Sequence, residues 1–384
     1  MIKDKKNIQL KINLWGHAYN DSYLFIIPLL LPFLRQEFFF TYFQSGLILA
    51  IHVALRSIFS LVFSLLGERF NHRHLFIAFG FTLSSIFLGS IVWISHLPFV
   101  ITILLLMAIS VSTFHPLATV MISENAAPGK KGQYLSLFNV AGTLGLSIIS
   151  LMFGWLVQLW GWRIACLAIS LPGFILAWGY SKLKNNKSNV DIKEEQLTQK
   201  ICFLIYFISY AFRGLGIWAI LSFLPVYATD FIGLTPGISA WFASIYFAGE
   251  LFGSLGISKI LDRINSLKLI IIATIFSSLL ILALTSSTLP IIMVIILVTI
   301  GLLQGCIYPS QHTWLNEVSS NQIRGKLFGL VFFIEGLSST IAPFLYGWLA
   351  DKLGLVYAYR LASIPFFISF LLYILLHFTT KKDL

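Results

Sequence analysis

Long apolar runs of about twenty residues or more alternate with short polar breaks along the whole chain. The runs lack the two-residue alternation of barrel strands and have the length of a helical crossing of a bilayer core. They predict twelve helical spans, at about 13–34, 44–67, 74–95, 98–122, 133–157, 162–183, 200–227, 236–259, 268–288, 290–314, 326–350 and 356–378. One polar stretch stands apart: residues 184–199 read KNNKSNVDIKEEQLTQ, with charges of both signs. The predicted organisation is an N-terminal six-helix bundle (1–183), a cytoplasmic linker (184–199) and a C-terminal six-helix bundle (200–384), all α-helical.

The halves repeat each other. Pro116, Glu124, Gly132 and Gly154-Trp155-Leu156 recur as Pro309, Glu317, Gly325 and Gly347-Trp348-Leu349, each 193 residues on. Ser64-x-x-x-Glu68-Arg69-Phe70-Asn71 recurs as Ser258-x-x-x-Asp262-Arg263-Ile264-Asn265, 194 residues on. Two copies of an apolar unit are the layout of a secondary transporter, with its binding site between the copies.

Composition names the solvent. The chain is 58% hydrophobic and 11% charged, against about 25% charged in soluble domains. So few charges cannot clothe a water-soluble surface, so the outer faces meet lipid, where backbone groups must be satisfied within the helix. The three cysteines, Cys166, Cys202 and Cys306, fall inside apolar runs and read as small packing residues. The N-terminus shows no cleavage pattern of a signal peptide.

The net charge of +11 is an orientation signal. Twenty Lys and Arg fall at the two termini and in the connections after even-numbered spans, against four in the opposite connections. Positive charge stays inside, so both termini are predicted in the cytoplasm and the protein in a bacterial-type inner membrane. The lipid bilayer is the expected partner of that charge. Nucleic acid is not, because no basic-aromatic soluble module is present.

The connection after span two reads Ser64-Leu65-Leu66-Gly67-Glu68-Arg69-Phe70-Asn71-His72-Arg73. Here the chain resembles the major facilitator superfamily, whose signature in this loop is Gly-x-x-x-Asp-Arg-x-Gly-Arg-Arg. An acid at the end of one helix can meet a neighbouring helix dipole or an Arg, a contact that breaks when the halves rock apart. Glu68, Arg69, Asp262 and Arg263 are therefore read as a cytoplasmic gate. Within the superfamily, His17-x-x-Asn20-Asp21 followed by Pro28-Leu29-Leu30-Leu31-Pro32 resembles the fosmidomycin-resistance group, as does Phe114-His115-Pro116, while Gly161-Trp162-Arg163 resembles a common superfamily entry to span six. The Gly-Pro pair usual in span five of proton-linked drug antiporters is replaced by Ile149-Ser150, while Gly142 and Gly145 remain.

Ionisable residues inside spans are costly and mark function. Asp21, His17, His115, Glu250 and Glu335 are the expected proton-coupling groups. His17 and Asp21 lie four apart and share one helix face. Asn20, Arg56, Arg213, Gln304, Tyr308, Gln311 and His312 are the expected substrate-cavity groups. The superfamily resemblance implies that spans one, four, seven and ten line a central cavity where Asp21, His115, Arg213, Tyr308 and His312 converge. Repeat arithmetic adds that Arg56 and Glu250 occupy equivalent places, 194 residues apart.

No sequence spacing resembles a metal site, no Walker loop is present, and no nucleophile–base set appears. No cofactor, metal or enzymatic activity is expected. The reading is a monomeric secondary transporter that uses protons to export a small organic compound or drug by alternating access. The alternative is proton-coupled uptake of an anionic metabolite by the same fold.

Overall fold

The protein is described by a computed structural model covering residues 2–70, 72–126, 131–183, 200–320 and 323–382. The predicted linker at 184–199 lies outside the described residues. Within them the chain is helical: α1 (Ile2–Phe38), α2 (Tyr42–Phe70), α3 (Arg73–Ser90), α4 (Leu97–Val111), α5 (Phe114–Asn125), α6 (Lys131–Ser181), α7 (Lys200–Asp230), α8 (Pro236–Ile257), α9 (Ser266–Leu284), α10 (Pro290–Val318), α11 (Arg324–Leu353), α12 (Leu355–Leu361) and α13 (Ser363–Lys382).

Ten described segments are long and apolar enough to cross a membrane. One of them, Tyr134–Ser181, has 48 residues, more than twice the roughly 20 that one crossing needs. It is broken at Gly161, whose φ of 77° and ψ of 163° lie outside the helical region. Glycine tolerates that backbone because it has no Cβ to clash. The break falls at the Gly161-Trp162-Arg163 entry expected for span six. Helix α1 is not among the ten, since Asn13, His17, Asn20 and Asp21 interrupt its apolar run.

The span predicted at 98–122 is two helices, α4 and α5, meeting at a turn over residues 112–113. Pro116 has no N–H to give to the carbonyl four residues back. That carbonyl, Ser112 O, accepts instead from Ser60 Oγ of α2 at 3.2 Å. The break sets His115 in the first turn of α5.

The described chain divides into two compact units. The first comprises residues 1–39, 51–189 and 235–244; the second comprises 40–50, 190–234 and 245–384. Helix α2 thus begins in the second unit and continues in the first, and α8 does the reverse. In the first unit α6 packs on both α1 and α3. Tyr23 of α1 is buried there, its hydroxyl 2.8 Å from Ser85 Oγ of α3. In the second unit α7 packs on α11 and α13, and α9 on α10 and α13. Its interior is aromatic: Tyr206 stacks on Trp314 at 4.8 Å and donates to Gln311 O at 3.0 Å.

The outward faces are apolar. Leu61, Leu65, Ile175, Trp178 and Ile201 are exposed, among many other large hydrophobic side chains. So much uncovered apolar surface suits hydrocarbon and not water.

Candidate functional site

In the first unit, three sequence-predicted residues from α1 and α5 come together. His17 Nε2 lies 3.2 Å from Asp21 Oδ2, and His115 Nε2 lies 3.0 Å from Asp21 Oδ1. The i, i+4 spacing aims His17 and Asp21 the same way. The turn before α5 brings in His115. His17 is buried and stacks near-parallel on Phe138 at 3.8 Å, with Phe114 near-parallel at 6.0 Å from both rings.

The proton on His17 can be assigned from geometry. Its Nδ1 sits 2.6 Å from the backbone carbonyl of Phe138 on α6. A carbonyl can only accept, so Nδ1 carries the hydrogen. In a neutral ring Nε2 then presents a lone pair to a carboxylate oxygen 3.2 Å away. Two lone pairs facing each other away from water repel. The contact becomes attractive when a cation stands there, either as a proton on one partner or as an ion between them.

Close approach of α6 makes this arrangement possible. A Cβ at Gly145 would lie 2.0 Å from Ala18 O, and one at Gly142 would lie 2.6 Å from Asp21 Oδ2. The two glycines retained in span five therefore let α6 lie against α1 and present Phe138 O to His17. Asn20 is buried, and its Nδ2 has no hydrogen-bond partner. Arg56 of α2 is near enough to act electrostatically on His115.

The second unit holds another cluster. Arg213 of α7 is buried, donates to Gln304 Oε1 of α10 at 3.1 Å, and lies 3.4 Å from Glu335 Oε2 of α11. Trp218 Nε1 donates to the other Glu335 oxygen at 2.7 Å. Gln304 Nε2 donates to Ser277 Oγ at 3.0 Å, and the guanidinium lies 4.9 Å over the Tyr210 ring. Around this network Arg213 Nε, Tyr210 Oη, Gln311 Oε1 and His312 Nε2 have no hydrogen-bond partner. The Tyr308 and His312 rings lie 4.4 Å apart, tilted by 45°. Glu250 of α8 lies one turn from Tyr246 and acts on its hydroxyl.

The predicted gate residues fall at the expected chain positions, Arg69 and Arg263 being exposed. The side chains of Glu68 and Asp262 lie outside the described residues. Sequence reasoning missed one pair at this level: Arg73, the last position of the loop signature, meets Glu124 of α5 at 2.7 Å, both side chains being largely buried. The signal was available, since Glu124 recurs as Glu317. It also missed Trp218, the hydrogen-bond donor to Glu335.

An all-helical chain with apolar outer faces and buried ionisable clusters has the build of a membrane transporter. The sequence profile of the Major Facilitator Superfamily matches residues 17–205 and again 206–384, nearly the whole chain in two copies. The protein belongs to that superfamily: it is an integral membrane secondary transporter and not an enzyme. It is 27% identical over 363 residues to a protein named proton-coupled antiporter flippase LtaA from Staphylococcus haemolyticus (strain JCSC1435), with 88% of each chain covered. In fold it is similar to a bacterial homologue of the human lysosomal transporter Spinster, at a TM-score of 0.79 and 14% identity over 99% of this chain and 98% of that one. It is likewise similar to a D-xylose-proton symporter, at 0.78 and 14%, covering 95% of this chain and 96% of that one.

Proposed function

We propose that this protein is a proton-coupled antiporter that exports a small organic compound by alternating access, with Asp21 as the residue that carries the proton. The observation behind this reading is the lone-pair conflict between His17 Nε2 and Asp21, which a single proton relieves. The LtaA relatives are named proton-coupled antiporters, and the His17-x-x-Asn20-Asp21 motif of α1 resembles the fosmidomycin-resistance group. In a cell with an inward proton gradient, antiport means export.

With the proton in place, the His17–Asp21 pair carries no net charge. Without it the pair is an anion largely out of water, with the His115 ring beside it at 3.0 Å and Arg56 acting on that ring. The two protonation states thus differ in what the site attracts, and a ligand can shift the conformational balance only by such a difference. His115 is the half-buried, more accessible end of the cluster and the path by which the proton arrives. Glu250 and Glu335 are secondary coupling groups. Asn20, Arg56, Arg213, Gln304, Tyr308, Gln311 and His312 form the substrate surface. The six-helix bundles 1–183 and 200–384, joined by a linker, rock about the site. Glu68, Arg69, Asp262 and Arg263 close its cytoplasmic side, and both termini are cytoplasmic. The transporter works as a monomer in the inner membrane.

A second reading, uptake of an anionic metabolite, is favoured by the unpartnered Arg213 Nε in a buried polar network. Proteoliposomes of known orientation separate the two: an imposed proton gradient drives substrate against proton flow in the first and with it in the second. In the same vesicles Asp21→Asn should abolish gradient-driven flux while leaving folded protein in the membrane. Undiminished flux in that variant removes Asp21 from the mechanism.

A further inference from the structure

We infer that His17, Asp21 and His115 form a binding site for a divalent transition-metal ion of the zinc class, in the place the proposed coupling cation occupies. No sequence spacing announced such a site, because one of its three ligands comes from a different helix about a hundred residues on. The fold assembles it: one donor atom from each residue lies within 4.8 Å of the others.

The distances suit an ion. Metal–nitrogen and metal–oxygen bonds of about 2.0–2.2 Å separate adjacent ligand atoms by roughly 2.8–3.1 Å in octahedral and roughly 3.3–3.6 Å in tetrahedral arrangements. The two N···O separations here are 3.0 and 3.2 Å. His115 Nε2 approaches Asp21 Oδ1 at 3.0 Å, and no well-aligned hydrogen bond satisfies that oxygen. The two histidines thus flank the carboxylate, one at each oxygen, and the three donors are close enough for a single ion to bridge them.

The surroundings fit as well. Metal-bound histidines typically donate their second ring nitrogen to a carbonyl or carboxylate, which fixes the tautomer and aims the free nitrogen at the ion. His17 does this through Nδ1 and Phe138 O at 2.6 Å. The site is closed on the His17 side by Phe114 and Phe138 and opens toward His115, whose side chain is 36% exposed against 7% for His17. Two imidazoles and one carboxylate with an open side leave coordination positions for water or a substrate oxygen. That donor set selects late first-row ions, whereas Mg²⁺ and Ca²⁺ prefer all-oxygen shells. The positive charge of Arg56 acts on His115; it tempers affinity without entering the donor set.

This inference uses the same side chains as the coupling reading, but its readout is equilibrium binding, so the two can fail separately. Full-length protein in detergent would be titrated with Zn²⁺ against a chromophoric chelator, and with Co²⁺ while its visible d–d bands are followed. One ion per chain is expected, undisturbed by millimolar Mg²⁺ or Ca²⁺. His17→Ala, His115→Gln and Asp21→Asn should each weaken binding more than about tenfold. Size-exclusion profile and melting temperature establish that each variant is folded. His115→Gln, at the open edge, is the variant least prone to disturb packing. Absence of stoichiometric binding by the wild-type protein overturns the inference, as does undiminished affinity in folded His115→Gln and His17→Ala. If binding holds, micromolar Zn²⁺ should also block proton-driven flux in the wild type and spare any flux left in His115→Gln.

Discussion

Gly145→Ala adds one methyl group where α6 leans on α1, and the structure fixes what that methyl meets. The new Cβ would lie 2.0 Å from Ala18 O and 2.5 Å from Ala18 C and Cα. Ordinary contact begins near 3.4 Å, so the two backbones must part locally by about 1.4 Å. Neither neighbour is a flexible side-chain tip that could turn aside. Forcing a methyl into such a packed contact costs about 1–3 kcal/mol. For a chain of this size, 1 kcal/mol moves the melting temperature by roughly 2 °C, which predicts a fall of about 2–6 °C. The same separation would stretch the 2.6 Å link between His17 and Phe138 O, two helical turns away on α6. Gly179→Ala, beyond the Gly161 break, is the control: its new Cβ would have nothing nearer than Ile12 Cδ1 at 3.8 Å. Removing that glycine should leave the melting temperature unchanged or raise it slightly. Thermal unfolding in detergent, followed by intrinsic tryptophan fluorescence, measures both. A Gly145→Ala protein that melts with the wild type, or above Gly179→Ala, would refute the claim that this glycine sets the α1–α6 distance.

Two further outcomes follow from the second unit. Arg213→Ala leaves Glu335 facing Trp218 without its cation, so it should destabilise by about 3–5 kcal/mol, and the Arg213→Ala/Glu335→Ala double variant should cost less than the two singles together; additive melting shifts would show that the pair does not interact. Asp351 of α11 accepts from the backbone N–H groups of Tyr42 and Phe43 at 2.8 and 3.0 Å, capping the positive end of α2. Asp351→Ala orphans both donors and should cost about 1–2 kcal/mol, a fall of roughly 2–4 °C; an unchanged melting curve would mean water replaces the cap at no cost.

Much of this was legible in one dimension. Apolar runs of spanning length, the doubled motifs and the scarcity of charge pointed to a lipid-embedded helical transporter, because the cost of an unsatisfied backbone in hydrocarbon leaves few alternatives. Single residues in α1, α5, α7 and α11 also stood out, because an ionisable group within a span is rare enough to notice alone. Partnership was not legible. The repeat aligned Arg56 with Glu250 and named no partner for Arg213, whereas folding gave Arg213 to Glu335 and Gln304. His17 and Asp21 declared themselves as a helical pair and the family resemblance put His115 in the same cavity, but the contact itself came with the turn before α5, and the Phe138 carbonyl that sets the His17 tautomer came only with the close approach of α6 through Gly142 and Gly145. The reason is physical: burial and hydrophobic period act along the chain and leave their mark in it, whereas the direction of a lone pair or a guanidinium depends on which backbones touch, and that depends on packing between helices far apart in sequence.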